Sequence, residues 1–131
     1  MMTPEIEEHY RKVCQAAFDV VPSEFRKLWV RSEIDDGVSM TGLYYLDPSG
    51  RHHFVTEGLY AIDNAMNDLH SAVKKAGQPL FSSATVMLDP EGRFSFDYGY
   101  GDVSDPAQQF DREDDWIRNY LGKGVDIVYD E

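Results

Sequence analysis

The sequence has a single cysteine, no long apolar run and few positive charges, and each shortage removes a class of protein. Cys14 stands alone among 131 residues, so no internal disulfide can form and nothing in the chain asks for an oxidising compartment. It lies among apolar residues of an expected helix, where a thiol packs rather than reacts. No apolar stretch approaches the roughly 18 residues of a membrane span. The opening MMTPEIEEHY is acidic and has neither the positive start nor the apolar centre of a secretory signal. A soluble, cytoplasmic protein with no membrane contact is the expectation. Bases are scarce too: 12 Lys and Arg face 24 Asp and Glu, a formal net charge of −12. That field repels nucleic acid and anionic membranes and speeds encounter with basic partners.

What is present is enough for one core. Hydrophobic residues make up 42% and aromatics 13% of the chain, which fits one folded domain spanning residues 1–131. The acids are unevenly spread. Residues 97–131 hold ten of them (Asp97, Asp102, Asp105, Asp111, Glu113, Asp114, Asp115, Asp126, Asp130 and Glu131) against three bases, Arg112, Arg118 and Lys123.

Residues 4–21 read as a helix, with Thr3 as N-cap, Pro4 at the first position and an apolar stripe of Ile6, Tyr10, Val13, Ala17 and Val21. Pro22 stops it. Three strands are expected next. In the first, Leu28, Val30 and Ile34 alternate with Trp29, Arg31 and Glu33. After the turn Asp35-Asp36-Gly37, the second runs from Val38 to Leu46 with apolar groups on both sides. The third, Arg51 to Thr56, follows the turn Asp47-Pro48-Ser49-Gly50. A second helix covers about 59–76, striped by Ile62, Ala65, Met66, Leu69, Val73 and Ala76, with Lys74 and Lys75 in its last turn and Gly77 beyond it. Two more strands, Ser83 to Leu88 and Arg93 to Tyr100, flank Asp89-Pro90-Glu91-Gly92. The segments LDPSGRHHF (46–54) and LDPEGRFSF (88–96) agree at six of nine positions; two hairpins solving one turn problem account for this more simply than a functional duplication.

The last helix is the least regular. It starts either at Asp105-Pro106-Ala107-Gln108, with a capping-box glutamine, or later, capped by Asp111. The early start puts Glu113 inside the apolar arc of Trp116, Ile117, Tyr120 and Leu121, so the later start is favoured. From Lys123 on, the tail at 123–131 is either frayed or added to a sheet edge. The order is α-β-β-β-α-β-β-α: an α+β single domain, an antiparallel sheet of about five strands with helices packed on one face.

The search for chemistry finds little. His52 and His53 are adjacent on a strand, so they point to opposite faces and do not jointly grip an ion. There is no HExxH, CxxC or EF-hand loop, no GxSxG elbow, and the glycines of YGYGD precede no lysine as a phosphate loop requires. No cofactor is implied. The strand Phe94, Phe96, Tyr98, Tyr100 has the spacing of a base-stacking platform, but its neighbours are Asp97, Asp102 and Asp105 rather than bases. Direct nucleic-acid binding is therefore not expected. What remains is an acidic surface with aromatics among the acids, the chemistry by which a protein steers and grips a basic partner.

The segments YRKVCQAAFDVVPSEFRKLWVRSEI, SSATVMLDPEGRFSFDYGYGD and WIRNYLG (Trp116 to Gly122) together resemble the YezG-like immunity proteins, antitoxin partners of bacterial polymorphic toxins. The likeness in element order spans nearly the whole chain and centres on F-x-F-x-Y-x-Y-x-D followed by W-x-x-x-Y-L-G. It departs where acids would follow each tyrosine: this chain has Gly99 and Gly101. The resemblance implies a small α+β fold, no enzymatic activity, and a cognate toxin C-terminal domain, a basic nuclease, as partner. On that footing the candidate toxin-binding residues are Asp97, Tyr98, Tyr100, Asp102, Asp105, Asp111, Asp114, Asp115 and Trp116. The acids would steer and pair with Lys or Arg, and the aromatics would fill pockets, with Trp116 balanced between core and interface. Phe94 and Phe96 are expected in the core, and the strand turns into contact surface from Asp97 on. The alternatives are a small metal-dependent hydrolase using His52 or His53 with a carboxylate, and an adaptor that adds an edge strand to another protein.

Overall fold

Thr3 opens the first helix as expected. Its hydroxyl accepts the Ile6 N–H at 3.1 Å, and Pro4 sits in the first turn, where its missing N–H is no loss. The computed structural model describes residues 2–130; Met1 and Glu131, included in the 1–131 domain and the acid count, lie outside the described residues. Helix α1 (Pro4–Phe18) ends before the expected residue 21, because Pro22 disfavours helical dihedrals at the residue before it. Strands β1 (Lys27–Asp35), β2 (Val38–Leu46) and β3 (His52–Val55) form a meander, followed by α2 (Tyr60–Lys75). At the end of α2, Gly77 takes a φ of 71°, its N–H reaching the Lys74 carbonyl while Gln78 N–H reaches that of Val73. This closure needs a residue with positive φ, which glycine supplies without strain. Strands β4 (Ser83–Leu88) and β5 (Phe94–Gly99), helix α3 (Gln109–Tyr120) and strand β6 (Ile127–Asp130) complete the chain.

The sheet has six strands in the order β5-β4-β1-β2-β3-β6. All neighbours are antiparallel except β3 and β6, which run parallel with His52 opposite Ile127 and Val55 opposite Asp130. The tail therefore takes the edge-strand option: Ile127 to Asp130 form the sixth strand, one beyond the expected five.

Helices cover both faces of the sheet, not one. On the first face α1 and α2 bury Ile6, Val13, Ala17, Ile62, Met66 and Leu69 against Leu28, Val30, Leu43 and Val86. On the opposite face α3 sets Trp116 against Trp29 and Tyr44, with Leu46, Phe54 and Met87 packed around them. The cause lies in the central strands. β1 is buried from Leu28 through Ile34, so its Trp29 side needs cover as much as its Leu28 side. The two-sided apolar character of β2 has the same origin.

The start of α3 also differs from the favoured reading. Asp105 accepts the Ala107 N–H at 2.9 Å and caps a single 3-10 turn, Pro106–Gln108, that runs directly into the helix. Glu113 does face inward, and its carboxylate is satisfied there by the Tyr44 hydroxyl, which donates to Oε2 at 3.2 Å. A paired polar group is tolerated in the apolar arc, so the early start carries no penalty.

The repeated hairpin turns are one local solution used twice. Asp47 Oδ1 accepts the Ser49 and Arg51 N–H groups at 2.9 and 3.0 Å, and Asp89 Oδ1 accepts those of Glu91 and Arg93, both at 3.0 Å. The free carboxylate oxygens then diverge: Asp89 Oδ2 takes Arg93 Nε at 2.6 Å, whereas Asp47 Oδ2 meets His53 Nε2 at 2.7 Å.

Candidate partner-binding surface

Alternation along β5 splits the expected site residues between the two faces of the sheet. Phe94, Phe96 and Tyr98 turn toward α1, where Tyr10 lies flat on Phe96 with centroids 3.8 Å apart and meets Phe94 edge-on at 6.1 Å. Tyr98 belongs to the same cluster. Its ring stacks on Phe81 at 4.4 Å, and its hydroxyl shares a 2.6 Å hydrogen bond with that of Tyr10. Burial, with that hydrogen bond second, pushes its phenol pKa far up, so it stays neutral. Tyr98 is thus half-buried under a helix, not on an acidic rim, and Phe94 at the strand's start is the more exposed of the two. The strand is therefore not split at Asp97 into core and surface: Phe94, expected in the core, is 42% exposed, while Phe96 and Tyr98 are half-buried. Tyr100 lies beyond the last residue of β5 and is 60% exposed.

Trp116 lies in the core. It is 8% exposed, donates its indole N–H to Thr85 Oγ1 at 2.8 Å, and packs on Tyr44 at 4.9 Å and Tyr120 at 5.2 Å. An indole whose ring and N–H are both used inside the fold offers nothing to a partner.

The acids are exposed, and they gather around α3 and the loop before it. Asp111, Asp114 and Asp115 share the outer side of α3 with Arg118, which pairs with Asp115. Phe110, 77% exposed, adds an apolar group beside them. Asp102 Oδ1 accepts both the amide and the hydroxyl of Ser104, at 2.8 and 2.6 Å; these bonds hold its carboxyl below the usual range, the hydroxyl contributing most. Asp105 is committed to its cap but remains exposed. Asp97 sits on the α3 side of β5 and accepts the Tyr120 hydroxyl at 3.1 Å. Seven of the nine expected residues, all but Tyr98 and Trp116, therefore present exposed side chains.

Gly99 and Gly101 also find a physical setting. Gly99 pairs with Ser83 across the ladder, and a Cβ there would lie 2.2 Å from the Ser83 hydroxyl in its present rotamer. The Gly101 carbonyl accepts the Ser82 hydroxyl at 2.5 Å. Both positions anchor the end of β5 to the start of β4.

Two charged clusters escaped the sequence reading. The first lies on the α3 face of β1. Glu33 accepts Arg31 Nη2 at 2.9 Å and, from α3, Arg112 Nε and Nη2 at 2.9 and 3.1 Å. Arg112 also donates to the carbonyls of Asp105 and Val103, at 3.1 and 3.3 Å, fastening the loop to the sheet. The Glu33 carboxylate raises its pKa further, so the charge is fixed. The available signal was Arg31 and Glu33 two residues apart on a strand too apolar to be an edge.

The second cluster centres on His53. Its Nε2 contacts Asp47 Oδ2 at 2.7 Å, its Nδ1 contacts Asp130 Oδ1 at 2.8 Å, and its ring lies flat on Tyr45 at 4.6 Å. The Tyr45 hydroxyl donates to the other Asp130 oxygen at 2.5 Å. His52 turns to the opposite face, its ring 5.8 Å from that of Trp29. Among the described residues, no group of three His, Cys, Asp or Glu side chains is placed to hold a metal ion. Among them, too, no helix is long and apolar enough to cross a membrane.

No family model matches the chain. Two curated proteins do. One, named Immunity protein YezG, from Bacillus spizizenii (strain ATCC 23059 / NRRL B-14472 / W23), is 25% identical over 139 aligned residues, covering 93% of this chain and 86% of that protein. The other, of the same name, from Bacillus subtilis (strain 168), is 20% identical over 113 residues, covering 75% of each. The resemblance carried by the aromatic strand and the closing helix thus extends through nearly the whole sequence, and the chain is similar over 93% of its length to a protein named Immunity protein YezG.

Proposed function

We propose that this protein is an immunity protein that binds a cognate bacterial toxin domain and neutralises it without catalysis of its own. The observation that carries this reading is the likeness to proteins named Immunity protein YezG over 93% of the chain. The surface supports it physically. Five exposed carboxylates, Asp102, Asp105, Asp111, Asp114 and Asp115, gather on α3 and the loop before it with Arg118 as the exposed base among them, and there they stand in for the phosphates that a nuclease would hold. We assign the partner as the C-terminal domain of a polymorphic toxin, a nuclease with a basic face, met in the cytoplasm.

The contact residues under this reading are Asp97, Tyr100, Asp102, Asp105, Asp111, Asp114 and Asp115. Tyr98 and Trp116 support them from within the two cores. The test is rescue of growth: the toxin domain encoded beside this gene is induced in a bacterial host with and without this protein. Restored growth together with a stable purified complex is the expected result. Growth arrest that persists while the protein accumulates in folded form would overturn the reading.

A further inference from the structure

Between the β1–β2 turn and the start of α3 lies an open groove of about 260 Å³. It joins a smaller recess of about 210 Å³ through the shared residues Glu33, Val103 and Arg112. The lining has two chemistries. Val38 and Met40 of β2 face Val103 and Pro106 of the loop and give it an apolar surface, while Asp35 adds a carboxylate from the end of β1. On the loop side Asp102 lines the recess, and Asp105 stands between the lining residues Ser104 and Pro106. Val38 is 74% exposed.

The two cations nearby are already engaged within the fold. Arg112 is held by both oxygens of Glu33 and by two loop carbonyls, and Arg31 by Glu33 and the Met40 sulfur at 3.7 Å. We infer that this groove is the anchor pocket for a basic side chain of the toxin domain, an arginine or lysine whose stem lies along Val38, Met40, Val103 and Pro106 while its charged head meets Asp35 and the loop carboxylates. The inference rests on the immunity reading and adds to it a site made largely of residues outside the acidic face of α3.

Complementarity selects the occupant. Long basic side chains bury their methylenes on apolar surface and keep the charge at its edge. A purely apolar anchor would desolvate Asp35 with no compensating partner, and an acidic one would meet like charge. Arg112 holds both walls in place before any partner arrives, so little ordering remains to be done on binding.

The experiment measures affinity for the purified toxin domain by calorimetry. Gln109→Trp fills the groove mouth from an exposed position, and Asp35→Lys reverses its charge. Each is expected to weaken binding by about thirtyfold, the size of a central anchor. Asp68→Lys, an equal charge reversal at an exposed position of α2 on the other face of the sheet, is expected to change it by less than about threefold. Wild-type affinity in both groove variants overturns the inference and leaves the immunity reading standing. Failure of the wild-type protein to bind the toxin domain overturns both. Urea midpoints check that the variants fold; if either does not, amide shifts of Val38, Met40 and Val103 in the wild-type protein on addition of toxin domain decide. Shifts at these three support the pocket, and their absence overturns it.

Discussion

Arg112 on α3 grips Glu33 on β1 through two hydrogen bonds of 2.9 and 3.1 Å, and Glu33 also holds Arg31. One carboxylate thus serves two guanidiniums beneath the loop before α3, and the three side chains are unequal. Glu33→Gln leaves two cations without their shared anion in a poorly hydrated site. Arg112→Met leaves an intact Arg31–Glu33 pair. The expected cost of Glu33→Gln is about 3 kcal/mol, at the lower end for breaking a buried pair, with a smaller loss for Arg112→Met. Urea unfolding measures both, and an equal or larger loss for Arg112→Met would show that Glu33 is not the hub.

A second expectation concerns pH. Both ring nitrogens of His53 face carboxylate oxygens, an arrangement in which the protonated ring donates to both. Burial opposes this charge, but the hydrogen bonds to Asp130 and Asp47 outweigh it and raise the pKa above the ordinary 6.5. His52, one residue away, is lowered from 6.5, chiefly by burial. NMR titration should therefore find adjacent histidines displaced in opposite directions. The raised His53 value means that its stabilisation is complete below pH 6.5 and is lost as pH rises through the folded-state value. Asp47 and Asp130 are lowered from 3.8, so their share is complete above that value and is lost in acid. The His53 link to β6 is thus strongest between roughly pH 4 and 6.5. Urea midpoints of wild type and His53→Gln should differ more at pH 5.5 than at pH 8.5; a constant difference would refute the charged clasp.

Period and turn chemistry made most of the fold legible. Thr3, the stripe of α2, the Asp36-Gly37 turn and the two DP-x-G turns act through near neighbours, and the structure follows them except at the end of the stripe, where Ala72 is buried and Ala76, beyond the helix, is exposed. What was hidden depends on residues far apart in sequence. Burial of Trp29 and Tyr44 by α3 requires cover on the second face, which no local window states. Glu113 looked misplaced only because its partner, Tyr44, is 69 residues away. Asp130 looked like a tail acid because His53 lies 77 residues before it. The same holds within the candidate surface. The exposed acids of α3 follow from helical spacing, but the cover that half-buries Tyr98 comes from Tyr10 on α1 and Phe81 in the connection before β4.

Tyr98 and Tyr100 offer a direct contrast, since one supports the fold and the other faces solvent. Tyr98→Phe removes the partner of the Tyr10 hydroxyl and is expected to cost about 1 kcal/mol of stability, with toxin affinity unchanged. Tyr100→Ala should leave stability within about 0.5 kcal/mol, as exposed substitutions do, and weaken binding. Trp116→Ala, which empties the core under α3, should cost about 3–5 kcal/mol. Thermal unfolding and calorimetry on the same variants separate the two properties. A loss of affinity confined to Tyr98→Phe would reverse the assignment of these tyrosines.

The acids on α3 should act mainly on the rate of encounter. Asp111, Asp114 and Asp115 are exposed, and at physiological salt charges separated by more than about 8 Å are screened from one another. Their contribution to a docked complex is therefore small, whereas their long-range field in dilute salt is not. Replacing all three by Asn removes a quarter of the net charge of −12 while leaving the core of α3 untouched. The association rate constant with the toxin domain is expected to fall by about tenfold at low salt, with the dissociation rate nearly unchanged. Raising the salt should slow the wild-type protein toward the variant, because screening removes the same field that the substitutions remove. Stopped-flow mixing across a salt series measures this; a wild-type on-rate that does not respond to salt would show that binding relies on local contacts and that the acidic face has another cause.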